Sequence, residues 1–91
     1  MERTIQVVPR ESGFNVSMRQ GDHTFSLGTV GAEELSIMLS KLCMEAEVEN
    51  IPTNVFAYYH GDIIIQILYF KLMDELDVFN KKNFHFESEW G

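Results

Sequence analysis

The chain contains one cysteine, two prolines and seven basic residues against fourteen acids in 91 positions. A lone thiol, Cys43, excludes an internal disulfide and fits a reducing compartment. No apolar run reaches the roughly 20 residues of a membrane helix, because the longest, from Ile63, is interrupted by Gln66 and ends at Lys71. Met1-Glu2-Arg3 leads directly into alternation without an apolar h-region, so no signal peptide is expected and the setting should be cytoplasmic and soluble. The shortage of Lys and Arg argues against direct binding of nucleic acid or an anionic membrane, both of which demand a basic surface. Also lacking are a Gly-rich phosphate loop, CxxC, GxSxG and HExxH. His23, His60, His85 and Cys43 are too scattered for a structural zinc site, so no metal and no cofactor are expected.

What is present reads as one globular domain spanning residues 1–91, with 45% hydrophobic and 23% charged residues. Residues 1–32 balance Glu2, Glu11 and Asp22 against three arginines, so the net charge of −7 lies entirely in residues 33–91. Thr4 to Val8 reads as a first strand, closed by Pro9 and the turn Arg10-Glu11-Ser12-Gly13. Two alternating runs, FNVSMRQ and HTFSLGT, flank Gly21-Asp22, a Gly-first pair suited to a type II′ hairpin turn. That register sets Gln20 opposite His23, Met18 opposite Phe25 and Val16 opposite Leu27. It gathers Phe14, Val16, Met18, Phe25 and Leu27 on one face.

Glu33 and Glu34 open a helix, where negative charge suits the dipole. Leu35, Met38, Leu39, Leu42, Cys43 and Ala46 make its core stripe, while Ile37, Met44 and Val48 fall on nearly the opposite side as a candidate dimer or partner contact. Pro52 ends this helix, and Asn54 to Tyr59 reads as a strand. Beyond His60-Gly61-Asp62 two readings compete. Either Asp62 caps a helix running to about Lys82, with Ile65, Leu68, Tyr69, Leu72, Leu76 and Phe79 on one face, or Ile63 to Ile67 is a strand after a second hairpin turn. The sustained helical spacing favours the helix. Phe84 to Trp90 alternates as a final edge strand. The fold class is α+β: an antiparallel sheet, from the N-terminal hairpin and later strands, packed by two α-helices.

Chemistry has one local candidate, His60 with Asp62 as an acid–base pair. A turn glycine, a capping aspartate and a terminal strand residue explain the same three positions without a nucleophile or substrate pocket. The other feature is acidity. Glu45, Glu47 and Glu49 crowd the end of the first helix, Asp74, Glu75 and Asp77 the second, and Glu87 and Glu89 the last strand. A solvated acidic face accounts for them simply. The sharper expectation is a carboxylate surface that imitates a phosphate track and occupies the basic groove of a nucleic-acid-acting protein. In size, acidity and lack of catalytic motifs the chain is similar in kind to small phage-encoded inhibitors of host nucleic-acid enzymes, including DNA mimics. That likeness is compositional and implies an inhibitor without assigning any residue. The expected partner is a basic protein, with a homodimer as an option. The alternatives are an interaction module using Ile37, Met44, Val48 or the last strand's edge, and a small enzyme using His60 and Asp62.

Overall fold

The computed structural model describes residues 2–75 and 83–88. Three strands form a meander, β1 (Arg3–Arg10), β2 (Gly13–Gln20) and β3 (His23–Val30). Helix α1 (Ala32–Glu49), strand β4 (Thr53–Tyr58), helix α2 (Ile63–Glu75) and strand β5 (Phe84–Glu87) follow. The sheet order is β3-β2-β1-β4-β5. The expected α+β class is present, but the sheet is mixed: β4 pairs parallel with both β1 and β5. The reason lies in the connections. A tight hairpin turn reverses the chain, whereas a helix between two strands returns it to the starting end and makes the next strand parallel.

Both helical connections step across the sheet in the same direction, from β3 to β4 and from β4 to β5. Because such crossovers are right-handed almost without exception, both helices fall on one face of the sheet. A single core cluster joins Ile5, Val7, Phe14, Val16, Val55 and Ala57 of the sheet to Leu35, Leu39 and Cys43 of α1 and Tyr69 and Leu72 of α2. The opposite sheet face displays Thr4, Gln6, Asn15, Ser17, Arg19, Asn54, Phe56, Tyr58 and His85, none of them buried.

The hairpin keeps the predicted pairs Gln20 with His23 and Met18 with Phe25. Only the first residue of its turn has positive φ, Gly21 at 63°, the type II′ pattern. Past Ser17 the register shifts, and Val16 pairs with Gly28 rather than Leu27. A bulge at Leu27-Gly28, with Gly28 at φ 90°, inserts the extra residue. Strand β1 also runs through Pro9, which does not close it. Arg10 and Gly13 close a two-residue loop. The next pair, Pro9 with Phe14, is then non-hydrogen-bonded, and the missing N–H points to the side where pairing with β4 has stopped at Val7.

Helix α1 buries Leu35, Leu39, Cys43 and Ala46 and ends at Asn50, in the left-handed conformation at φ 58°. Burial pushes the Cys43 thiol up to about 12, assisted by the negative charge of Glu47 and opposed by Arg3. That thiol is a core residue, not a nucleophile. Helix α2 takes the helical reading of the isoleucine run. Its described part ends at Glu75, and the expected continuation toward Lys82, with Leu76 and Phe79, lies outside the described residues. Strand β5 turns Phe84 and Phe86 toward the core cluster and forms a sheet edge as expected, while Trp90 lies outside the described residues.

Candidate functional site

The His60 corner is built as punctuation. His60 and Gly61 have φ of 50° and 72°, and Asp62 N–H returns to the Tyr59 carbonyl at 2.8 Å. The Asp62 Oδ1 accepts from the backbone N–H of Ile64 at 2.9 Å and of Ile65 at 3.4 Å, satisfying two donors at the start of α2. Asp62→Ala should therefore lower stability by about 1 kcal/mol, read as a shift of the urea midpoint. An unchanged midpoint would remove the cap from this account. The histidines and Cys43 stay dispersed. His23 borders the β2–β3 turn, His60 follows β4, His85 lies on the open sheet face and Cys43 is buried under α1. Among the described residues no group of three His, Cys, Asp or Glu side chains is arranged to hold a metal. No helix there is long and apolar enough to cross a membrane.

Among the described residues the candidate carboxylates are exposed, but they do not form one track. Glu45, Glu47 and Glu49 lie on the last turns of α1. Glu75 instead comes against the first turns of α1, across a groove of about 400 Å³ lined by Ala32, Glu33, Ser36, Ile37, Leu68, Lys71, Leu72 and Glu75. At 1.5 Å per residue, Glu33 and Glu45 are separated by about 18 Å of helix. Glu75 thus lies near Glu33 at the start of α1, apart from the glutamates at its end. Glu87 belongs to β5 on the open sheet face, away from both. Asp77 and Glu89 lie outside the described residues.

One of these carboxylates is also structural. Arg3, 4% exposed, lies on the helix side of β1, where its Nε and Nη2 donate to Gln20 Oε1 at 3.3 and 3.1 Å and its Nη1 to the Leu42 carbonyl at 3.4 Å. Its Nη2 stands 3.9 Å from Glu49 Oε2. Glu49 therefore stands beside a cation that the first strand carries under α1.

The helices also expose more apolar surface than a solvated acidic face accounts for. Ile37, Met44 and Val48 are open, as the second stripe of α1 predicts. The larger exposure is on α2, where Ile63, Ile64 and Ile67 are 67%, 79% and 61% exposed. Phe70 is partly shielded by Phe86, its ring 4.8 Å away and edge-on. Sequence reading assigned only the core stripe of α2 and missed this outer face, although the signal was available: a helix apolar around its circumference has something to cover on every side. The open sheet face differs. It carries Arg10, Arg19 and the Phe56 ring stacked on His85 at 4.7 Å, and its acids include Glu87 and Glu2, the latter beside Thr4 and Arg19. Compared with protein-family models, curated proteins and solved structures, the chain matches none.

Proposed function

We propose that the chain is a non-enzymatic inhibitor or regulator that docks its helical side on a basic surface of another protein and acts by occupying that surface. What carries this reading is the segregation of charge. Helices α1 and α2 bear seven carboxylates, Glu33, Glu34, Glu45, Glu47, Glu49, Asp74 and Glu75, against Lys41 and Lys71. A protein that engages nucleic acid offers the complementary cationic surface, and attraction between the two speeds encounter and weakens with salt. A duplex carries one charge per about 1.7 Å of axis, a density that two separated clusters copy only coarsely. The basic partner is therefore better supported than phosphate mimicry, its finer form.

The test is affinity capture from lysate with parallel low-salt and high-salt washes. A basic nucleic-acid-binding protein should be held at low salt, released at high salt, displaced by duplex DNA and lost from Glu45→Lys/Glu47→Lys/Glu75→Lys. Glu49 is left in place because it faces Arg3. Equal retention by the triple variant rejects the carboxylate surface. A second reading, an interaction module held by apolar helix surfaces, is favoured by the exposure of Ile37, Met44 and Val48 together with Ile63, Ile64 and Ile67; its partner would survive the high-salt wash. Against the small-enzyme reading stands the engagement of Asp62 as a helix cap.

A further inference from the structure

Strand β3 ends the sheet order on one side, and among the described residues nothing pairs with its outer edge. Native edge strands are ordinarily protected by charge, proline or a bulge. From His23 to Val30 there is no Asp, Glu, Lys, Arg or Pro, and the one bulge, at Leu27-Gly28, leaves His23 to Leu27 regular. The other edge strand, β5, has four residues and carries Glu87. Gln20 and His23 close the β2–β3 turn as a hydrogen-bonded pair. Arg19 with Thr24 is then non-hydrogen-bonded, Met18 with Phe25 hydrogen-bonded, and Ser17 with Ser26 again non-hydrogen-bonded. The backbone N–H and C=O of Thr24 and Ser26 therefore point outward, away from β2. Phe25 stands between them on the helix side of the sheet, in line with Met18 and Ile5, yet it is 45% exposed.

We infer that this edge pairs with the same edge of a second copy, antiparallel about a two-fold axis through Phe25, so that two five-stranded sheets become one continuous sheet. The two-fold that uses all of His23 to Leu27 passes through its middle residue. It sets Phe25 against its own copy and Thr24 against Ser26 of the second copy, and Thr24 and Ser26 are the residues whose free N–H and C=O can then exchange bonds in both directions. The Phe25 pair is of the non-hydrogen-bonded kind, with Cα atoms about 4.5 Å apart and side chains at their closest, so each ring covers the exposed side of the other. Symmetry and charge select the occupant. A two-fold contact opposes each side chain to itself or to its symmetry mate, which on the helices would bring carboxylates together and on β3 brings phenyl to phenyl and hydroxyl to hydroxyl. Asp22, the acid next to the strand, falls opposite Gly28 of the second copy, so the two copies of Asp22 stand about 20 Å apart, beyond the Debye length. A basic extended segment would find no carboxylate on β3 to answer it. The pairing leaves the helix carboxylates uninvolved and stands apart from the proposed docking.

The experiment is sedimentation of the full chain from about 5 to 500 µM in about 150 mM salt. A short edge contact makes a weak dimer, so the chain should be monomeric at the low end and mostly dimeric at the high end. Phe25→Lys and Phe25→Glu, each at an exposed position, should raise the midpoint at least tenfold, because like charges then face each other. An equimolar mixture of the two should recover the dimer, since only the register that sets residue 25 against itself brings Lys to Glu. Thr24→Pro removes an outward N–H that the β2–β3 ladder does not use and should also raise the midpoint at least tenfold. Circular dichroism and melting curves close to wild type identify the variants that fold, and the Phe25 pair decides the matter without Thr24→Pro. Ile37→Lys, on the outer face of α1, should change the midpoint less than twofold. A monomer at about 500 µM, a dimer indifferent to Phe25→Lys, or one that Ile37→Lys dissociates instead would each overturn the pairing. A dimer lost in both Phe25 variants and not recovered on mixing would overturn the register through Phe25.

Discussion

Gly13→Ala is expected to be among the most destabilising single-methyl additions in this chain. A Cβ built on Gly13 would lie 2.4 Å from the Val30 carbonyl oxygen and 3.1 Å from its carbon. Those are backbone atoms at the end of β3, next to Gly31, which precedes α1, so no side chain can swing away to make room. Gly13 also has φ 144°, a conformation that costs a residue with a side chain about 1–3 kcal/mol before any collision is counted. Moving Val30 would disturb the Phe14–Val30 pair and the Gly31 carbonyl, which accepts the Leu35 N–H at 2.8 Å. A total loss of about 3 kcal/mol or more corresponds to a fall of roughly 12 °C or more in melting temperature for a domain of this size. The control is Gly28→Ala, where φ is 90° and nothing lies within 4 Å of the added carbon. It should cost only the conformational part, about 1–2 kcal/mol. If the two variants melt together, the collision with Val30 is absent in solution and this close approach is wrong.

Gly13 and Gly28 also mark what was legible in the sequence. The β2–β3 turn was readable because Gly21-Asp22 names its own turn type, and the pairs next to it follow from that turn. The error began where Gly28 was treated as an ordinary strand residue; a glycine inside an alternating run is itself a bulge signal. The parallel pairing of β4 was likewise implied by the strand-helix-strand-helix-strand order, which outweighs the hairpin at the start of the chain. Arg3 entered only the charge balance of residues 1–32. Nothing in its local sequence says that it points under α1 toward Leu42 and Glu49, because those partners lie 39 and 46 positions away.

The surface was legible by composition and not by arrangement. The exposed carboxylates and the outer stripe of α1 follow from helical spacing alone. That Glu75 meets the first turns of α1, and not the last, depends on how α2 crosses the core, which no local pattern encodes. The crossing matters for the surface, since it sets Glu75 near Glu33 and away from the glutamates at the end of α1.

Tyr69 governs that crossing, and its replacement is the second large effect expected. It is fully buried, its ring centroid 5.9 Å from that of Phe14 and 6.1 Å from that of Phe86, so one side chain bridges β2, β5 and α2. Its hydroxyl donates to the Tyr58 carbonyl at 2.6 Å, tying the middle of α2 to the end of the strand that precedes it. Tyr69→Ala removes the ring and leaves a cavity between helix and sheet, an aromatic deletion that typically costs about 3–5 kcal/mol. Tyr69→Phe keeps the packing and loses one hydrogen bond, about 0.5–1.5 kcal/mol. Burial raises the Tyr69 phenol above its ordinary value of 10.0, so the folded chain retains that proton where the unfolded chain releases it. The Tyr69 contribution is then complete below pH 10 and declines as pH rises beyond it. Urea midpoints at pH 7 should rank wild type above Tyr69→Phe and both well above Tyr69→Ala. Between pH 9 and 11 the gap between wild type and Tyr69→Phe should narrow. A gap that stays constant with pH would mean that the phenol is solvated, and that the ring alone sets how α2 lies across the sheet.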